Sequence, residues 1–151
     1  MHMADALLSP AVGGTMLAAS AAAVAYSAVK VKKDELNDKK LPVMAVAGAF
    51  VFAAQMINFT IPGTGSSGHI GGGMLLCALL GGAPALLSLA AVLIIQCLFF
   101  ADGGLLALGS NIFNIGVIPC LIVYPLIYKP IVRKKLSIGR ISAAAVISTV
   151  I

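Results

Sequence analysis

All ten basic residues of this 151-residue chain fall in two clusters: Lys30, Lys32, Lys33, Lys39 and Lys40, then Lys129, Arg133, Lys134, Lys135 and Arg140. Nothing between Lys40 and Lys129 carries Lys or Arg. Short basic loops beside uncharged runs are the positive-inside pattern of membrane proteins, so loops 30–40 and 129–140 are expected to be cytoplasmic. Hydrophobic residues make up 60% and charged residues 10%, with a mean hydropathy of +1.07. Soluble domains hold about 45–50% apolar and about 25% charged residues. A soluble enzyme or nucleic-acid module is thereby excluded, and the net charge of +5 orients the chain rather than recruiting nucleic acid. Three cysteines without a CxxC pair cannot build a secreted disulfide scaffold. The expected fold is all-α, a polytopic transmembrane helical bundle forming a single domain over 1–151.

Residues 10–29 carry no charge over twenty positions, roughly 30 Å of helix and enough to cross a bilayer. Ser9 reads as its N-cap and Pro10 as its first helical residue. A second span is expected over 42–61, which puts 62–69 outside, and a third long run, 106–128, starts outside near 102–104 and ends at the second basic cluster. The chain must therefore cross twice between 69 and 101, turning inside at 81–84. Residues 84–100 suffice for one crossing, but 70–80 has only eleven residues, roughly half the hydrocarbon thickness. The Gly-rich stretch 62–73 is then expected to dip into the membrane, which is tolerated where protein or a cavity surrounds it. Short, Gly-interrupted helices of this kind point to a transporter's binding site. The final apolar run, 141–151, is too short to span, so the natural chain is expected to continue.

The chain has two histidines, His2 and His69. No cationic leader precedes the first span, and a bulky second residue favours retention of Met1, so the mature chain is expected to begin with a free amine. The Met1 amine and the His2 amide can close a five-membered chelate on a metal. The same amide and His2 Nδ1 close a six-membered one, leaving one planar corner open. Square-planar nitrogen coordination suits Ni(II) or Cu(II), and His69, costly in a membrane without a partner, is the natural fourth ligand. Residues 1–9 can stretch about 30 Å, far enough to fold back to it. The bland alternatives are a disordered terminus for His2 and a structural hydrogen bond for His69; the pairing favours the metal.

Asp102, Asn111 and Asn114 sit in a second polar stretch, with the two asparagines three apart on one helix face. Either they orient a ligating imidazole or the entering N-terminus, or Asp102 caps the next helix in an ordinary turn. Ala18/Ala22 and Ala19/Ala23 have the small-xxx-small spacing that lets helices approach closely, for docking to another subunit or for packing within this bundle. Cys77, Cys97 and Cys120 read as small buried hydrophobes. The chain shows no P-loop and no catalytic constellation, so no ATPase or enzymatic chemistry is expected of it.

The start Met1-His-Met-Ala-Asp-Ala-Leu-Leu-Ser-Pro10, the motif Gly65-Ser-Ser-Gly-His-Ile-Gly-Gly-Gly73 and the stretch 102–116 resemble the CbiM/NikM family over nearly the whole chain. These proteins are the substrate-capture components of energy-coupling factor transporters. The resemblance implies an all-helical protein of a prokaryotic plasma membrane, with its N-terminus outside, that binds Ni(II) or Co(II) as transported substrate and needs no cofactor. By position, the ligands would be the Met1 amine, the His2 amide and imidazole, and the His69 imidazole. It also implies a transmembrane coupling subunit, two cytoplasmic ATPase subunits and a small accessory membrane subunit as partners. Ser-Gly-His and Leu8-Ser-Pro10 look more like nickel members. Ile115 and Ala83-Pro84 depart from the family pattern without touching a proposed ligand. The alternatives are a cobalt-specific component serving cobalamin synthesis, a passive metal channel, and a membrane subunit with no transport role.

Overall fold

The computed structural model describes residues 2–33, 40–63, 66–133 and 137–150. Met1 and the basic residues Lys39, Lys134 and Lys135 lie outside the described residues. Within them run α1 (Pro10–Lys33), α2 (Lys40–Gln55), α3 (Gly73–Leu80), α4 (Gly82–Phe100), α5 (Leu108–Arg133) and α6 (Ile138–Val150). A small antiparallel hairpin of β1 (Phe59–Ile61) and β2 (Ser66–Gly68) joins α2 to α3. Helices α1, α4 and α5 are each long and apolar enough to cross a membrane.

The start of α1 follows its local signals. Ser9 Oγ accepts from the Val12 amide at 3.4 Å, satisfying one free donor of the first turn, and Pro10 fits where its missing N–H is not needed. Gly13, Ser20 and Ser27, seven apart, and Val31, four further on, are the buried residues along this helix and lie on one stripe. Their small size lets α5 approach: Ser20 Oγ donates to the Gly109 carbonyl at 2.6 Å. A Cβ at Gly109 would run into the α1 backbone at Leu17.

Helix α4 is central, packed against α1, α2, α3 and α5. Its Leu86, Leu89 and Leu93 are fully buried against Val51 of α2, Leu76 and Cys77 of α3, and Ile112 and Ile115 of α5. Lipid tails are as apolar as leucine, so this core is held by close packing more than by exclusion from water. The outward apolar side chains, among them Val46, Phe50, Phe99 and Leu126, suit lipid as solvent. Cys77, Cys97 and Cys120 are buried, free thiols. In α5 the segment Ile112–Tyr128 winds as a π-helix that holds Pro119 and Pro125.

The second span is shorter than the apolar run suggests. Helix α2 ends at Gln55, and Phe59–Ile61 is a strand paired in register with Ser66–Gly68. The reason is local: aromatic and β-branched residues lead into Pro62-Gly63, and Gly63 takes φ 78° to turn the chain. Helix α3 has eight residues, about 12 Å, shorter than expected from 70–80. Its connection to α4 is Gly81 alone, at φ 85°; Gly82, Ala83 and Pro84 already form the first turn of α4. Between the hairpin and α3, the loop through His69 doubles back alongside the last turns of α2. There Gln55 Nε2 donates to the Gly71 carbonyl at 2.7 Å, and a Cβ at Gly72 would meet Val51.

Candidate metal-capture site at the N-terminus

Residues 2–8 fold over the ends of α4 and α5, and four hydrogen bonds at Met3 and Asp5 help to hold them. Met3 N donates to Asn111 Oδ1 at 2.7 Å while Asn111 Nδ2 donates to the Met3 carbonyl at 3.3 Å. The Gly104 amide also reaches that carbonyl, at 3.4 Å. Asp5 Oδ1 accepts from the Ala107 amide at 2.8 Å, satisfying a free donor at the start of α5. Gly103 and Gly104 are required here. The first has φ 87°, and a Cβ on the second would overlap the Asp5 carboxylate.

These ties bury His2, which is 3% exposed. Its Nδ1 lies 3.0 Å from His69 Nε2, the rings tilted by 40° at a centroid separation of 4.6 Å. His69 Nδ1 sits 2.7 Å from the Ile70 carbonyl. A carbonyl can only accept, so Nδ1 carries the ring proton and Nε2 presents its lone pair toward His2. Asp102 Oδ1 is 3.2 Å from His2 Nδ1, and its Oδ2 accepts from Asn58 Nδ2 at 3.1 Å. Asp102 reaches this place because Ala101, at φ 52°, turns the chain left-handed just past α4, a conformation an L-residue adopts at a cost. The Asp102 amide closes that turn on the Gln96 carbonyl at 3.2 Å.

Burial favours the neutral form of both rings. It pushes His2 down from 6.5 to about 4, with Asp102 opposing, and it lowers His69 as well. The pair is thus two neutral imidazoles, with His2 Nδ1 facing the lone pair of His69 Nε2.

His2, His69, Asp102, Asn111 and Asn114 come together around the N-terminal segment, and Asn114 Nδ2 lies 3.9 Å from Met3 Sδ. Met1 lies outside the described residues. The alanine stripe behaves differently: Ala18, Ala19 and Ala22 are exposed, and Ala23 alone packs against the core. Packing within this bundle therefore explains Ala23 and not the other three. Sequence reasoning passed over Gln55 and Gln96. Both are fully buried, and Gln96 Nε2 donates to Gln55 Oε1 at 3.1 Å. Their only signal was that each is a neutral amide in an apolar run.

The family model for the cobalt uptake substrate-specific transmembrane region, CbiM, matches residues 2–151. The chain belongs to the CbiM family. It is 44% identical over 126 residues to a protein of Haloquadratum walsbyi named for metal transport, covering 83% of this chain and 57% of that one. It is 37% identical over 118 residues to a fused nickel transport protein of Rhodobacter capsulatus, covering 78% of this chain and 33% of that one. A crystal structure of a transition metal transporter superposes with a TM-score of 0.86 at 37% identity, covering 98% of this chain and 64% of the other. The chain thus spans between about a third and two thirds of the length of these relatives. Like other CbiM members it is a helical membrane protein.

Proposed function

We propose that this chain is the substrate-capture component of an energy-coupling factor transporter that takes up a divalent transition metal, Ni(II) in preference to Co(II). The observation that carries the reading is the 3.0 Å approach of His2 Nδ1 to His69 Nε2. Metal–nitrogen bonds of roughly 2.0–2.1 Å put adjacent corners of a square-planar site about 2.8–3.0 Å apart. The two nitrogens are spaced as such corners, and the same spacing serves a hydrogen bond when no metal lies between them. The described side chains offer no group of three His, Cys, Asp or Glu disposed as a metal cage. The remaining corners then fall to the Met1 amine and the His2 amide, which close two chelate rings with His2 Nδ1. Four nitrogens in a plane favour Ni(II) over hard cations, which prefer oxygen.

In this reading Asn111 holds Met3 and so keeps the N-terminal segment beside His69, while Asp102, against His2 Nδ1, steadies the ring until the metal takes that nitrogen. The N-terminus faces the outside of a plasma membrane, and the basic loops 30–40 and 129–140 face the cytoplasm. The chain supplies no ATPase of its own. A transmembrane coupling subunit, two ATPase subunits and a small accessory membrane subunit drive the cycle, and the exposed Ala18/Ala19/Ala22 face is the surface offered to them. Metal analysis of the purified protein offered nickel and cobalt together tests the capture reading. One equivalent of nickel supports it, and no bound metal overturns it. Uptake that persists in cells lacking the ATPase subunits would indicate a passive channel instead.

A further inference from the structure

Metal capture through Nδ1 leaves the other nitrogen of His2 unaccounted for. His2 Nε2 is buried without a hydrogen-bond partner, and so is Gln96 Oε1. A buried polar atom left unpaired is costly, and each such atom calls for a reason. The Gln96 side chain lies beside the His2 ring and favours its protonated form, as an acceptor turned toward a ring N–H does.

The orientation of Gln96 is settled from its far end. The Gly71 carbonyl can only accept, so Gln55 must point its Nε2 there, at 2.7 Å. Gln55 Oε1 then faces α4 and takes Gln96 Nε2 at 3.1 Å, which leaves Gln96 Oε1, an acceptor, as the free end. A chain of amides therefore runs from the loop two residues past His69 to the back of His2.

The tautomers follow from the same logic. With the His69 proton on Nδ1, its 3.0 Å contact with His2 Nδ1 requires the His2 proton on Nδ1. His2 Nε2 is then a lone pair, and so is Gln96 Oε1; two acceptors cannot bond. When His2 Nδ1 gives its lone pair to a metal, the ring proton resides on Nε2 and the ring's proton count is unchanged. Nε2–H can then donate to Gln96 Oε1. We propose that Gln96, held by Gln55 and the Gly71 carbonyl, is a positioning residue that, of the two neutral tautomers of His2, can accept a hydrogen bond only from the metal-ligating one, through Nε2–H, and so favours metal capture. This rests on the functional reading above.

The test measures Ni(II) binding to the full chain in detergent, with Q96L and Q96E beside the wild type. Removing a partner of this kind typically lowers metal affinity 10–100-fold, and that loss is expected of Q96L at an unchanged melting temperature. Q96E keeps an acceptor and should recover most of it. Square-planar Ni(II) is diamagnetic, so a nitrogen-15 spectrum of the loaded wild type should show a solvent-protected His2 Nε2–H that Q96L loses. A wild-type chain that binds no Ni(II) overturns the functional reading. A wild type that binds while Q96L binds as tightly, or a loaded wild type without the Nε2–H signal, overturns the tautomer proposal alone. An affinity loss in both variants that tracks a lower melting temperature also overturns it, because the role would then be packing.

Discussion

Asn111 grips Met3 from both sides of its backbone, accepting from its N–H at 2.7 Å and donating to its carbonyl at 3.3 Å. One buried amide thus does for the N-terminal segment what a neighbouring strand would do. Each such bond contributes about 1 kcal/mol net, and its loss also strands a buried partner. Asn111→Leu should therefore weaken Ni(II) binding by tenfold or more while the helices stay folded. Isothermal titration beside a circular dichroism melt checks it; unchanged affinity would show that Met3 needs no anchor.

His2→Ala and His69→Ala remove different corners of the proposed plane. Each should lose most of the affinity, because water must replace a nitrogen. Leaving either out should also abolish the ligand-field absorption of planar Ni(II). Retained binding in both variants would assign the metal elsewhere.

Adding one or two residues before Met1 should abolish binding even though every side chain remains. The added peptide bond converts the proposed amine ligand into an amide and displaces it. Full nickel occupancy of an extended chain would exclude the chelate.

Acidity acts on the site with a definite sign. Both histidines are depressed from 6.5, His2 to about 4. The folded state therefore binds fewer protons than the unfolded one, and the stability linked to these rings is present in full above 6.5. It is lost as pH falls from 6.5 toward 4. Metal binding has a higher window. The rings are already neutral at pH 7, so the protons released come from the amine, ordinarily near 7.7–8.0, and from the amide. Affinity should fall from about pH 7.5 downward, with between one and two protons released per Ni(II) at pH 7, as counted by titration in buffers of different ionisation enthalpy. A count near zero would point to oxygen or sulfur ligands.

Gly109→Val tests the α1–α5 contact. Its side chain would press on the α1 backbone at Leu17 and disturb the Ser20 hydrogen bond. Overpacking of this kind typically costs about 1–3 kcal/mol, so the melting temperature in detergent should fall measurably. An unchanged melt would mean that α1 is free to shift outward.

What could be read from the chain depended on how local the signal was. The start of α1 is written in two adjacent residues, Ser9 and Pro10, and the structure follows them. The end of α2 is not local. The apolar run continues to Ile61, and pairing with Ser66–Gly68 is what turns its last residues into a strand. His2 and His69 stood out as the only histidines in an apolar chain, and their approach across 67 positions needed nothing further to suggest it. Gln55 and Gln96 carried no comparable mark, because a neutral amide gains meaning only when α2 and α4 bring two of them together. The exposure of Ala18, Ala19 and Ala22 could not be read either, since spacing defines a face without saying what covers it.

The segment that lies over the helix ends is, on the proposed reading, both the ligand and the door. Its described polar ties are few: His2 to His69 and Asp102, Met3 to Asn111 and Gly104, and Asp5 to Ala107. Cargo held by the chain's own first residues cannot leave while those ties hold, and it is uncovered as soon as they part. Unloading is then a matter of peeling a short latch, and the six helices beneath it need not move apart.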